Sequence, residues 1–253
     1  IDSNLPDMVY ATVVVAPTRK KSKVRSFNDD DCQSIKGYIK TIDPKLDVND
    51  PQSGWLIVIA KTFPSAIKAA NTIKIDWEVP EENIINTEDL FTEAKKIMND
   101  STKGAVAYHE GDINKGFAES DQKHESVYST AFVAHGLLEP YNAVVGNFKG
   151  IWHVITGTQA NSFTGWGMPP MIAEKTNQAP EEVKLQVHQR LAGGGYGSRG
   201  DEPTRLALIA SIDIGKPVKL IYTREAMMKA TEPRTATYQK LSAGTLSNGI
   251  LNS

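Results

Sequence analysis

Cysteine is almost absent, with Cys32 the single one in 253 residues. That excludes an internal disulfide framework and any zinc or iron–sulfur site built on cysteine ligands. A long apolar run is missing as well, so no membrane-spanning helix is expected. Nor is there an excess of charge of one sign. The formal net charge is -2, which gives no electrostatic case for nucleic acid or an anionic membrane as partner, and the one basic cluster, Arg19 to Arg25, reads as a solvated turn. Histidine is sparse: His109, His124, His135, His153 and His188 follow no ligand-like spacing, and no zinc site is expected from them. No initiator Met is present, and an expectation follows that a leader was removed ahead of Ile1.

Glycine, by contrast, is concentrated in one place. Leu191 to Gly200 holds five glycines in ten residues. Before it, residues 183–190 alternate apolar and polar as a half-buried strand does; after it, residues 203–214 begin with Pro203 and carry apolar residues at helical spacing. A glycine loop between a strand end and a helix start lets the backbone take positive φ, approach a ligand closely and aim its N–H groups at an anion. Phosphate, pyrophosphate or a metal-oxo group fits that description; so does a plain strand-to-helix loop or a β-bulge with no ligand at all.

The rest of the chain reads as mixed secondary structure. With 40% hydrophobic and 23% charged residues it can bury a sizeable core. Strands are expected over residues 8–16, 23–27, 37–41, 54–60 and 73–77, with a helical turn over 29–35 and a helix over 62–74 capped by Thr62. A short helix from Thr87 to near Asn99 and another over 113–118 behind Asp112 follow. Beyond them come strands over 124–134, 142–149, 151–156 and 218–223, the middle two a hairpin about Gly150, with helical turns over 161–171, 180–182 and 224–230. A last strand over 237–246 is expected to run on towards Ser253.

Five segments together carry a resemblance. His135-Gly136-Leu137-Leu138-Glu139-Pro140, Gly157-Thr158-Gln159-Ala160-Asn161, Gly193 to Arg199, Lys216-Pro217-Val218-Lys219 and Thr223-Arg224-Glu225, in this order and spacing, resemble the molybdenum-binding subunit of the xanthine dehydrogenase and aldehyde oxidase family, and within it the isoquinoline 1-oxidoreductase β-subunit type. Residues 5–11 and 66–78 resemble the family's α/β hammerhead domain. The expected fold is therefore α+β: a hammerhead domain over residues 1–78, a linker with a short helix over 79–110, and over 111–253 the first part of a mixed α/β molybdopterin-binding domain.

The resemblance implies roles. Gln159 matches a glutamine whose side-chain amide donates to an oxo ligand of molybdenum, and an amide suits this because it donates without adding charge. Gly195, Tyr196 and Gly197 match the segment whose backbone approaches the metal's ligands, with Tyr where Phe is usual; no residue here is expected to ligate the metal directly. His135 and Glu139 are expected to shape the core beside the cofactor, and Trp166 to pack in the core or an interface or else to border a substrate channel. The implied parent oxidises an aldehyde or N-heterocycle with oxygen from water, using molybdopterin as the cytosine dinucleotide and a small 2Fe–2S subunit as partner. Its catalytic base is a glutamate far downstream, so no catalytic residue is expected in this chain. Gly200 stands where purine-oxidising members have a substrate-binding glutamate, with Asp201 and Glu202 displaced from it, which speaks against purines. Branch members often carry an export signal, which tilts the expectation towards the periplasm. Two other readings stay open: an inactive module that docks an iron–sulfur subunit, and a phosphate-binding loop.

Overall fold

A computed structural model describes residues 1–100 and 102–253; position 101, within the expected linker, lies outside the described residues. The strands are β1 Val9–Val14, β2 Lys23–Asn28, β3 Tyr38–Ile42, β4 Leu56–Ala60, β5 Lys74–Glu78, β6 Gln122–Thr130, β7 Asn142–Phe148, β8 Ile151–Thr156, β9 Leu185–Gln189, β10 Val218–Ile221 and β11 Thr237–Thr245. The α-helices are α1 Phe63–Thr72, α2 Thr87–Met98, α3 Ile113–Ala118, α4 Asn161–Thr176, α5 Glu202–Ile214 and α6 Arg224–Ala230. They fall into two compact units, residues 1–83 with 134–232, and residues 84–133 with 233–253.

The first unit is built on a seven-stranded mixed sheet of order β3-β4-β1-β10-β7-β8-β9. Its centre takes strands from far apart in the sequence, since β1 pairs parallel to β10 and antiparallel to β4. All five residues of β4 and all four of β10, Lys219 included, are buried, as is expected of strands covered on both faces. One face carries Ala11, Ile57, Val145, Val154 and Leu220 into a core shared with Leu206 and Leu208 of α5 and with Met168 and Ile172 of α4. The other face carries Val58 beneath Ala69 of α1, beside Cys32 and Ile35. Helix α1 starts where sequence chemistry says it should: the Thr62 hydroxyl accepts from the Ser65 N–H, and Pro64 occupies the first turn. β7 and β8 join through Lys149 and Gly150, both at positive φ, as a tight hairpin turn of the type I′ kind requires.

The second unit is a two-stranded antiparallel ribbon, β6 with β11, paired from Thr130↔Thr237 to Gln122↔Thr245. Phe91 of α2 meets Tyr238 edge to face, and Asn252 at the chain's end donates to the Gly116 carbonyl of α3. None of the buried apolar residues belongs to this unit among the described residues.

Two expectations change. The last strand stops at Thr245: Gly249 takes positive φ, Leu246 donates to the Ile250 carbonyl, and Leu251 comes back to bridge Thr245. Ser247-Asn248-Gly249 is a turn sequence, and Asn248 Oδ1 accepting from the Ile250 N–H closes it. The helical turns expected over 161–171 continue as one helix to Thr176, through Pro169 and Pro170, and end on Asn177 in the left-handed conformation.

Candidate functional site

Parallel pairing of β8 with β9 ends at Thr156↔Gln189, so the segments that follow both strands leave the sheet side by side. This is how Gln159 meets the glycine loop although many residues separate them. Gly157 and Ala192 pass so close that a Cβ on Gly157 would lie 2.7 Å from the Ala192 Cβ.

The contact is reciprocal. The Gln159 N–H donates to the Arg199 carbonyl at 2.8 Å, and the Arg199 N–H donates to Gln159 Oε1 at 3.1 Å. A backbone N–H accepts nothing, so the amide must present its oxygen inward, which turns Nε2 outward. Gln159 is exposed, and Nε2 has no acceptor among the described residues. Thr158 is buried beneath it, its hydroxyl donating to the Arg199 carbonyl and its own carbonyl accepting from Gln189 Nε2 at 2.7 Å.

The loop itself turns tightly. Ser198 donates to the Gly195 carbonyl at 2.8 Å across Tyr196 and Gly197, both at positive φ. At Gly195 the need is space: a Cβ there would lie 2.4 Å from Gln159 Oε1. Gly193, Gly194, Gly195, Tyr196 and Gly197 offer five successive backbone N–H groups with no acceptor among the described residues. Tyr196 lays its ring along Gly194 and is 61% exposed, so its hydroxyl meets solvent and needs no protein partner.

Below the loop sits a buried polar layer. Arg199, 4% exposed, gives Nη2 to the Glu139 carbonyl at 2.6 Å and holds Nη1 at 3.4 Å from the Glu139 carboxylate. Asn142 Nδ2 donates to the Glu139 carboxylate at 3.1 Å, beside the Arg199 guanidinium. The Tyr141 hydroxyl reaches the Ser198 carbonyl and lies 2.8 Å from the Ser198 hydroxyl; burial raises its pKa, which keeps it a donor. Arg224 grips the Leu137 and Leu138 carbonyls from the other side. The His135–Pro140 segment is thus clasped by two arginines, and His135 Nδ1 is buried without a partner among the described residues.

Gln159 lies against Gly195, and Tyr196 and Gly197 follow in the same tight turn. Gly200 brings no side chain to it, and the Glu202 carboxylate folds back against Gly200. Trp166 stands 72% exposed on α4, edge to face with Phe163. No group of three or more His, Cys, Asp or Glu is placed to hold a metal ion among the described residues, and no described helix is long and apolar enough to cross a membrane. Sequence reasoning missed one pairing: His153 Nδ1 and His188 Nε2 lie 3.1 Å apart on β8 and β9. Their spacing in sequence carries no sign of it, because only the parallel register creates the contact.

An amide held with its N–H groups outward beside a row of free backbone donors has the chemistry to meet a ligand rich in oxygen acceptors. A membrane-bound aldehyde dehydrogenase of Gluconacetobacter polyoxogenes, named for pyrroloquinoline quinone, is 32% identical over 247 residues, 95% of this chain and 30% of that protein. The aldehyde oxidoreductase molybdenum-binding subunit PaoC of Escherichia coli is 24% identical over 76% of this chain and 25% of that subunit. Quinoline 2-oxidoreductase from Pseudomonas putida 86 shares the fold at a TM-score of 0.68 and 18% identity, over 99% of this chain and 35% of that one. The chain thus spans about a third or less of the relatives it matches. The molybdopterin cofactor-binding domain profile matches residues 97–253, more than half of the sequence, and the chain belongs to that family.

Proposed function

We propose that this chain is the front part of a molybdenum hydroxylase large subunit that oxidises an aldehyde or an N-heterocycle with oxygen taken from water. In this reading residues 1–78 form the hammerhead domain, 79–110 the linker and 111–253 the first part of the cofactor-binding domain. The observation that carries it is the fixed polarity of Gln159, with Oε1 engaged by the Arg199 N–H and Nε2 left to donate outward. The residues present fit the cofactor: Gln159 Nε2 and the N–H groups of Gly195, Tyr196 and Gly197 would hold its oxygen ligands, as neutral donors that stabilise negative charge without a proton to lose. The bound group, as molybdopterin cytosine dinucleotide, supplies the two-electron redox chemistry. A 2Fe–2S subunit would receive the electrons, and the general base would be the glutamate that the resemblance places downstream of this chain.

A second reading draws on the relative named for pyrroloquinoline quinone, which would place a quinone in the same enzyme class. Metal analysis together with pterin fluorescence after oxidation separates the two. The expected result is molybdenum and pterin in the full-length parent and neither in this chain alone; metal and pterin in neither would favour the quinone reading or, with no quinone bound either, an inactive docking module. In the parent, Gln159→Ala is expected to lower turnover about a hundredfold, the order seen when one preorganised donor is removed, with molybdenum retained. Unchanged turnover would take Gln159 out of the site.

A further inference from the structure

We infer that Arg199 is a positioning residue for the Gln159 amide, and that Glu139 is what keeps Arg199 in place. The inference rests on the functional reading above and names a control on it. Among residues 191–200, Arg199 alone is buried. A loop with five glycines in ten residues has few side chains to hold it and much backbone entropy to lose. Its placement over Gln159 therefore depends on the groups that reach inside, namely Tyr141 at Ser198 and the Arg199 guanidinium.

The guanidinium grips one residue twice, through the Glu139 carbonyl at 2.6 Å and the Glu139 carboxylate at 3.4 Å. Residue 199 then acts on Gln159 through its main chain alone, accepting from its N–H at 2.8 Å and donating to its Oε1 at 3.1 Å. The second bond decides chemistry. Were the amide reversed, Nε2 would face the Arg199 N–H, two donors in opposition, and Oε1 would face outward where a donor is needed. The dependence runs from the Glu139 carboxylate to the Arg199 guanidinium, from there to the Arg199 N–H, and so to the outward donor. Removing the Glu139 charge leaves the buried Arg199 guanidinium without its counter-charge. Lysine keeps the charge of Arg199 but not its planar fork.

The test uses the full-length, cofactor-loaded parent with Glu139→Gln, Arg199→Lys, Arg199→Met, Gln159→Ala and the double variant Arg199→Met/Gln159→Ala. Measured quantities are kcat, KM, molybdenum content and the electron paramagnetic resonance spectrum of the partly reduced metal. The expected result is a fall in kcat of about 10- to 100-fold for Glu139→Gln and Arg199→Met, the range for residues that orient a ligand, with KM and metal content near wild type. Their spectra should shift as that of Gln159→Ala does, Arg199→Lys should recover part of the loss, and the double variant should lose no more than Gln159→Ala alone. Should Arg199→Met fail to accumulate, the nearly isosteric Glu139→Gln carries the comparison. Wild-type kcat and spectrum in Glu139→Gln and Arg199→Lys while Gln159→Ala changes both, or losses that add in the double variant, would overturn the inference and leave the functional reading standing. If Gln159→Ala alters neither kcat nor spectrum, the functional reading itself fails, and the inference with it.

Discussion

Gly195 shows how narrow the tolerances at this site are. Its Cα hydrogen faces the Gln159 amide where a methyl group would lie 2.4 Å from Oε1, so neither partner has room to change. Gly195→Ala is expected to displace the amide and to cost about 1–3 kcal/mol, the range for forced overpacking, read as a lowered thermal midpoint. An unchanged midpoint would mean that the loop yields freely. Gln159 and the glycines were legible in the sequence because a motif is a local pattern. The Arg199–Glu139 pair was not, since each half sits in a different motif and only folding brings the guanidinium to the carboxylate. The same holds for His153 and His188. Burial lowers the His188 pKa from its ordinary 6.5, and the charges of His153 and Arg190 lower it further. A depressed pKa means that the unfolded chain takes up the proton first as pH falls, so stability declines as pH drops below the ordinary value. Thermal midpoints measured from about pH 7.5 to about pH 5.5, the span over which histidine titrates, should fall for the wild type and fall less for His188→Gln; parallel curves would exclude this histidine as the cause.

At the scale of elements, the sequence spoke most clearly where capping and periodicity agree. Thr62 followed by Pro64 and an apolar stripe predicts α1, and the helix forms there with its cap bond made. Thr62→Ala removes that acceptor from the Ser65 N–H and is expected to cost about 1 kcal/mol, measurable as a shift in the urea midpoint at constant slope; a slope change would point to a different unfolded state instead. α4 was less legible. Two adjacent prolines argue for an early stop, yet the helix continues because Met168, Ile172 and Ala173 lie on one buried side against the core and outweigh the missing N–H groups. β4 is apolar throughout and β10 is broken only by Lys219, so the sequence marked them as strands without naming their partners. The partnership of β1 with β10, more than two hundred residues downstream, is a long-range choice that no window of sequence contains.

For the whole molecule, the division of the core matters more than the division of the chain. β1 and β4, from the first 60 residues, share one sheet with β10, more than 150 residues further on. Every buried apolar side chain among the described residues belongs to the unit of residues 1–83 and 134–232. The other unit forms a ribbon whose β6 is exposed along all nine residues, held by backbone pairing and a few contacts such as Phe91 on Tyr238. Apolar burial is the main term that offsets the entropy of ordering a chain, and a two-stranded ribbon without a buried face has little of it. The ribbon should therefore open far more often than the sheet. In native-state hydrogen exchange on this chain, amides of β6 and β11 are expected to exchange through local opening, while those of β4, β10 and α5 exchange only through global unfolding. Added denaturant separates these cases, because local opening exposes little surface and responds weakly to it. Equal protection and equal denaturant response in β6 and β4 would show that the ribbon draws stability from a source other than its own packing.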